Sequence, residues 1–243
     1  MHYPISDILI CDHSVLITKM QNMLVLVGLV AASLGASMAI APVLASVLAD
    51  YLQLESANVE TSEDGLDAEL TTGADIPQGD DAVGSAFGYG LLTDQGTDAV
   101  IVTTTHSGVL DSETQNGDAN DPIWHNHYVR LGPVAQCEGL SANSTGVIDI
   151  TFEQPGDVEV DGQTADFTEM PNSFNGTNAL TNASMSSSPG NNVQNAVSFN
   201  LVPVFDGEAL QAACVNDISA FNATVGATAD DGSDNGDNGD EDN

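Results

Sequence analysis

The alternation of apolar and polar positions along residues 83–227 is typical of β-structure. Residues 100–105 are β-branched throughout, as in a half-buried strand. Residues 147–153 alternate, with Ile148, Ile150 and Phe152 on one face and polar side chains on the other. Further strands are predicted over residues 87–92, 123–131, 158–160, 163–167, 197–205 and 210–215. Since no stretch keeps a helical period for more than two turns, the pattern predicts about seven or eight strands.

Strands at this spacing predict a single antiparallel β-sandwich, Ig-like or similar, and hence an all-β domain. Asp161 and Gly162 suit the positive φ angles of a type I′ turn between two of the strands. Residues 110–122 and 170–195 are predicted to be long loops. Loops of that length in a compact domain are often functional.

Three segments lie outside the predicted sandwich. Residues 23–49 are an almost unbroken apolar run without a charge, so we expect a leader helix within residues 1–49. It is either a cleaved signal peptide, which we favour, or a retained membrane anchor, and Met20 and Met23 are alternative starts. Residues 50–82 contain many acids, no base and little periodic hydrophobicity, which predicts an acidic linker. Residues 228–243 are predicted to be a disordered acidic tail.

The charge of the chain is extreme. Its 243 residues include 36 acidic and two basic side chains, giving a formal net charge of −34. Self-repulsion of this size opposes compaction, and salt screens it, with a Debye length of about 3 Å at 1 M. We therefore expect a halophilic protein, with a calcium-binding surface protein of ordinary seawater as the alternative. Nucleic acid is excluded as a partner, because no basic patch can neutralise phosphates.

Cysteine usage and sequons agree with export. Cys11 falls in the leader, so Cys137 and Cys214 are expected to form one disulfide, with two free buried thiols as the alternative. In the chain-entropy model a bridge across so long a loop contributes about 4–5 kcal/mol. Four asparagines head N-glycosylation sequons in predicted loops: Asn143, Asn175, Asn182 and Asn222.

The candidate chemistry lies around residues 124–130, which contain the only tryptophan. On a strand, His125 and His127 share a face and are about 6.6 Å apart. If the preceding strand is a neighbour, His106 supplies a third imidazole. Three histidines with an open position can hold a catalytic zinc ion, and imidazole also suits copper. In the intervening segment, four acids are candidates for a supporting carboxylate or a general base: Asp111, Glu113, Asp118 and Asp121.

Simpler interpretations remain open for these residues. The histidines can instead be hydrogen-bonded neutral rings in the core or solvent-facing side chains, if Trp124 and Tyr128 form the core face. A pH-sensing or interface role is a third alternative. Arg130, the only basic residue after Lys19, is expected to pair with a carboxylate and hold strand register, or else to bind an anion.

The sequence predicts a secreted or cell-surface protein with a binding or structural role. Its partners are expected to be cell-envelope or matrix components, and its contact with a membrane is expected only through an uncleaved N-terminal segment. Two other functions fit the same residues. One is an extracellular metalloenzyme of the hydrolase or hydratase type that uses the three histidines. The other is a filament or matrix subunit, in which an N-terminal segment adds a strand to its neighbour.

Overall fold

A computed structural model of the protein describes residues 48–107, 122–141, 143–207 and 209–227. Every described residue belongs to one compact unit, within Ser46–Asn243. The predicted leader (apart from residues 48 and 49), the acids of residues 111–121 and the predicted tail lie outside the described residues. In the part that the structure describes, no helix has the length and apolarity that a membrane span needs.

The described residues form strands joined by turns and short 3-10 helices. The strands are β1 Leu54–Thr61, β2 Gly65–Thr72, β3 Ala86–Thr93, β4 Val100–His106, β5 His125–Gly132, β6 Thr145–Ile150, β7 Asp157–Asp161, β8 Thr164–Pro171, β9 Phe174–Thr177, β10 Ser184–Ser187, β11 Val193–Asp206, β12 Ala209–Asn222 and β13 Thr224–Ala227. The all-β prediction is therefore confirmed.

The strands form a closed barrel instead of the expected sandwich. Six strands close in the order β11-β12-β6-β5-β4-β3, a five-stranded sheet has the order β13-β1-β2-β8-β7, and β9 and β10 form a separate pair. Neighbouring strands are antiparallel, except that β13 runs parallel to β1. The barrel closes because β12 pairs with β11 along most of its length and also with β6, through Cys214 with Gly146 and Val215 with Thr145.

The predicted disulfide is confirmed, and it lies at this closure. Cys137, in a 3-10 helix before β6, is bonded to Cys214 of β12, with Cα atoms 5.5 Å apart. Both cysteines are buried together with Ala212. The disulfide therefore links β12, at its short pairing with β6, to the 3-10 helix that precedes β6.

Two apolar layers explain why β3, β4 and β5 are buried on both faces. Val100, Val102 and Val129 belong to a cluster inside the barrel, together with side chains of β6, β11 and β12. Tyr89 and Tyr128 point the other way, into the layer between the barrel and the five-stranded sheet. A strand between two apolar layers is covered on both faces.

The segment 50–82, predicted to be a linker, contains β1 and β2, and the prediction is wrong. Along β2, Leu66, Ala68 and Leu70 are buried while Asp67 and Glu69 are exposed. The buried side chains pack in the layer against the barrel. The period-two signal was present, but small apolar residues between acids made it weak. The domain therefore begins before residue 54, not at residue 83.

Two other local predictions need correction. A register shift between β5 and β6 falls at Ile148, so Val147 and Ile150 face the barrel interior, in place of the predicted pair Ile148 and Ile150. Phe152 lies beyond the end of β6 and is exposed. In the β7–β8 hairpin, Asp161 pairs with Thr164, so the central turn residues are Gly162 and Gln163. Only Gly162 has a positive φ, +54°, which rules out type I′. The predicted loop 170–195 contains β9 and β10.

Arg130 lies on β5 and pairs with Asp149 on β6. Its Nε donates a hydrogen bond of 2.6 Å to Oδ2 of Asp149, and the two residues are register partners. Asp149 also accepts a hydrogen bond of 2.7 Å from Asn178 Nδ2. The arginine side chain is about half exposed, 48%. An exposed pair of this kind contributes about 0–1 kcal/mol, so it serves strand register more than stability.

Candidate metal centre

The candidate site is built from the end of β4 and the start of β5. His106 is the last residue of β4, and His125 is the first residue of β5. In the antiparallel register, Thr104 lies opposite His125 and Val102 lies opposite His127. Since side chains two residues apart share a face, all three histidines project from one face of this strand pair.

That face is the interior of the barrel. His127 lines the barrel cavity together with Val102 and Val129. The alternating residues Trp124 and Tyr128 lie in the layer between the barrel and the sheet. Both faces of β5 are therefore internal, and a core position for Trp124 does not put the histidines in solvent. His125 is 2% exposed and His127 is 3% exposed.

The three imidazoles converge. One ligand nitrogen from each of His106, His125 and His127 lies within 4.8 Å of the other two. The Nε2 atoms of His106 and His125 are 3.0 Å apart. The ring of His125 is edge-on to both other rings, with centroid separations of 4.7 Å. The sequence prediction that His106 joins the H-x-H pair is therefore matched by the geometry.

Backbone carbonyls orient two of the rings. His125 Nδ1 is 2.9 Å from the carbonyl oxygen of Ile123, and His127 Nδ1 is 2.7 Å from that of Thr151. A carbonyl only accepts hydrogen bonds, so each Nδ1 carries the proton and donates it. A metal ion would therefore be bound through Nε2 of each ring. This arrangement is the usual support of a metal-binding histidine, because it fixes both tautomer and ring orientation.

The surroundings of His127 keep its ring neutral. Burial lowers the pKa of His127 well below its usual value, and repulsion from His125 and His106 lowers it further. The hydrogen bond to Thr151 acts in the opposite direction and is the smaller effect. A neutral imidazole is the form that binds a metal ion.

The donor set fits a small divalent ion. Tetrahedral zinc with bonds of 2.0–2.1 Å to nitrogen needs ligand atoms about 3.3 Å apart. The separation between His106 and His125 is already close to that value. His127 Nε2 is buried and has no hydrogen-bond partner in the structure. Drawing the rings together around one ion would satisfy this nitrogen.

An apolar cavity of about 340 Å³ inside the barrel reaches the histidines. His106 and His127 line it, and most of the remaining wall is aliphatic. Gly88 of β3 allows close packing, because a Cβ there would lie 2.3 Å from the Thr103 carbonyl oxygen and 3.0 Å from the Phe199 ring. The sequence did not predict the cavity, because its wall comes from strands that are far apart along the chain.

The candidate glycosylation sites are all exposed. Asn143 and Asn182 lie in loops, as expected, whereas Asn175 is in β9 and Asn222 ends β12. The acids considered as supporting groups, residues 111–121, lie outside the described residues. Among the described residues that line the cavity, none carries a carboxylate.

Comparison with known proteins gave no relative: the chain matches no family model, no curated protein and no solved structure. The arguments about function therefore rest on the geometry of the site.

Proposed function

We propose that this protein is an exported, acidic β-barrel protein with a binding role, in which His106, His125 and His127 hold one zinc or copper ion. The three imidazoles supply the protein ligands, and the cavity side of the ion is left for a further ligand. When bound, such an ion acts as a Lewis acid that accepts a donor atom from that ligand.

One observation carries this proposal. His127 Nε2 is buried without a partner, although the Nδ1 of the same ring is held by Thr151. Leaving a buried acceptor unsatisfied costs about 1–3 kcal/mol. The two imidazoles beside that nitrogen give it no hydrogen bond, but together with it they are the ligands that a metal ion needs.

Export and a salty environment are supported by other features. The barrel carries a disulfide, which persists in oxidising compartments. The net charge of −34 suits a solvent in which salt screens repulsion. We propose cell-envelope or matrix components as partners, and the exposed sequon asparagines are compatible with a cell-surface position.

The cavity beside the histidines also favours a second candidate, an extracellular metalloenzyme of the hydrolase or hydratase type. Such an enzyme keeps an open metal position for water or substrate. It also needs a group that accepts the proton of the water, and the described wall of the cavity has no carboxylate for this task. A binding role is the better supported of the two.

Titration of metal-free protein with Co²⁺ tests the proposal, because tetrahedral Co²⁺ absorbs in the visible range. We expect saturation at one ion per chain, displacement by Zn²⁺, and a His127→Gln affinity at least about 100-fold weaker. Ala220→Ser changes an exposed position of β12 and is expected to bind Co²⁺ like the parent. Equal binding by the His127→Gln variant would overturn the assignment.

A further inference from the structure

We infer that the barrel cavity binds a small hydrocarbon-bodied carboxylate, with the carboxylate on the metal ion and the hydrocarbon among the aliphatic side chains. The inference rests on the proposed metal site and adds the chemical class of its ligand. Two properties of the site support it: the charge left on the ion and the character of the space beside it.

The charge of the metal ion favours an anionic ligand. Three neutral imidazoles leave a divalent ion with its full charge, and the described part of the cavity wall has no carboxylate to balance it. A buried charge without a counter-charge is expensive, so an anionic ligand is favoured over water or an alcohol. A carboxylate oxygen is an ordinary zinc ligand.

The cavity beside the histidines suits a hydrocarbon body. Beyond His106 and His127, the wall includes aliphatic side chains from six strands, among them Leu92, Val129, Val147 and Leu201. Protein interiors hold few voids larger than a water molecule, whereas this one measures about 340 Å³. An apolar cavity of about 150 Å³ holds a benzene molecule. By that scale, the barrel cavity accommodates a hydrocarbon body of roughly ten carbon atoms.

The Co²⁺-loaded protein allows a direct test with straight-chain carboxylates from acetate to decanoate. Sodium sulfate should provide the salt, because chloride competes for the open position of the metal. Carboxylate binding is expected to change the visible spectrum of the ion. Affinity is expected to rise about fourfold per methylene until the cavity is full. The Co²⁺-loaded protein is expected to bind 1-octanol at least tenfold more weakly than octanoate. The metal-free protein is expected to bind octanoate at least tenfold more weakly than the loaded protein does.

A matched pair of variants on β12 reports where the hydrocarbon lies. Ala213 lines the cavity, and Ala220, on the same strand, is exposed. Ala213→Leu adds three carbon atoms to the wall, so the chain length at which affinity stops rising is expected to shorten by about three carbons. Ala220→Leu is expected to leave it unchanged. If both variants keep the parent's optimum length, the hydrocarbon does not occupy the cavity and the inference is wrong.

The outcomes separate this inference from the proposed metal site. If Co²⁺ binds but octanoate binds no tighter than acetate, or equally well without metal, the inference fails and the metal site stands. If Co²⁺ does not bind to the histidines, both fail. An affinity that rises with chain length, and does so only with the metal bound and the cavity unfilled, supports the metal site and the inference together.

Discussion

At the scale of single residues, His127 is the most constrained group of the site. Its ring is almost completely buried, one nitrogen is held by Thr151, and two further histidines lie beside it. In the metal-free protein the burial and the two neighbouring histidines disfavour the imidazolium form and lower the pKa of His127, and the hydrogen bond to Thr151 offsets only part of this. The unfolded chain has no such environment, so the two states differ in proton binding.

This difference predicts a pH dependence of stability for the metal-free protein. The unfolded histidine has a pKa of about 6.5. Below that pH the unfolded chain gains a proton that folded His127 does not, so the free energy of unfolding falls by up to about 1.4 kcal/mol per pH unit. Above it, the contribution of the neutral ring is complete. Chemical denaturation between pH 7.5 and 5, with a chelator present, measures the slope.

A His127→Gln variant is the control for that measurement. Glutamine does not titrate, so the variant should show a shallower slope over the same range. The carboxylates contribute equally to the slope in both proteins, so their contribution cancels in the comparison. Identical slopes would contradict the account of His127.

At the scale of elements, the sequence predicted β4 and β5 because their apolar residues are β-branched or aromatic. The same reasoning failed for β1 and β2. Their buried side chains, such as Ala57, Val59 and Ala68, are small and alternate with polar or acidic residues, so composition outweighed periodicity. The sandwich prediction failed for a different reason. Closure depends on pairing between β6 and β12, which are far apart in sequence, and no local pattern reports such a pairing.

The same distinction applies to the site. Strand alternation alone puts His125 and His127 on one face. The participation of His106 depends on β4 and β5 being neighbours with Thr104 opposite His125, which is a matter of register. The cavity depends on six strands together. A ligand set within two strands was therefore predictable, and the space beside it was not.

Leu70 tests whether β2 belongs to the domain. It is fully buried in the layer between sheet and barrel, whereas its neighbour Glu69 is exposed. We expect Leu70→Ala to lower the free energy of unfolding by about 2–5 kcal/mol. Glu69→Ala should change it by less than about 0.5 kcal/mol. Denaturant unfolding of both variants gives the comparison, and equal small effects would restore the linker interpretation.

At the scale of the whole molecule, charge is the dominant property. Glu69, Glu159 and Asp166 are register partners on adjacent strands of the five-stranded sheet. Partial burial raises the pKa of Asp166, and repulsion from Glu69 and Glu159 raises it further. Like charges opposite one another destabilise a sheet. With almost no cations in the chain, screening by salt is the main relief.

We therefore expect the free energy of unfolding to rise steadily as NaCl increases from 0.1 M to 2 M. Asp166→Asn removes one of the repelling charges, so it should stabilise the protein at 0.1 M, and the gain should shrink at 2 M. Thermal or urea unfolding at several salt concentrations measures both effects. A stability that is independent of salt, or a gain in Asp166→Asn that grows with salt, would refute this electrostatic account.

The central claim is that three histidines inside the barrel hold a metal ion. Its most direct test is elemental analysis of protein purified without a histidine tag, in roughly 2–4 M salt to screen the surface charge. We predict about one zinc or copper ion per chain in the parent protein. A folded His106→Gln/His127→Gln double variant should contain essentially none. A metal-free parent that does not take up either ion on addition, or a double variant with the same metal content, would contradict the claim.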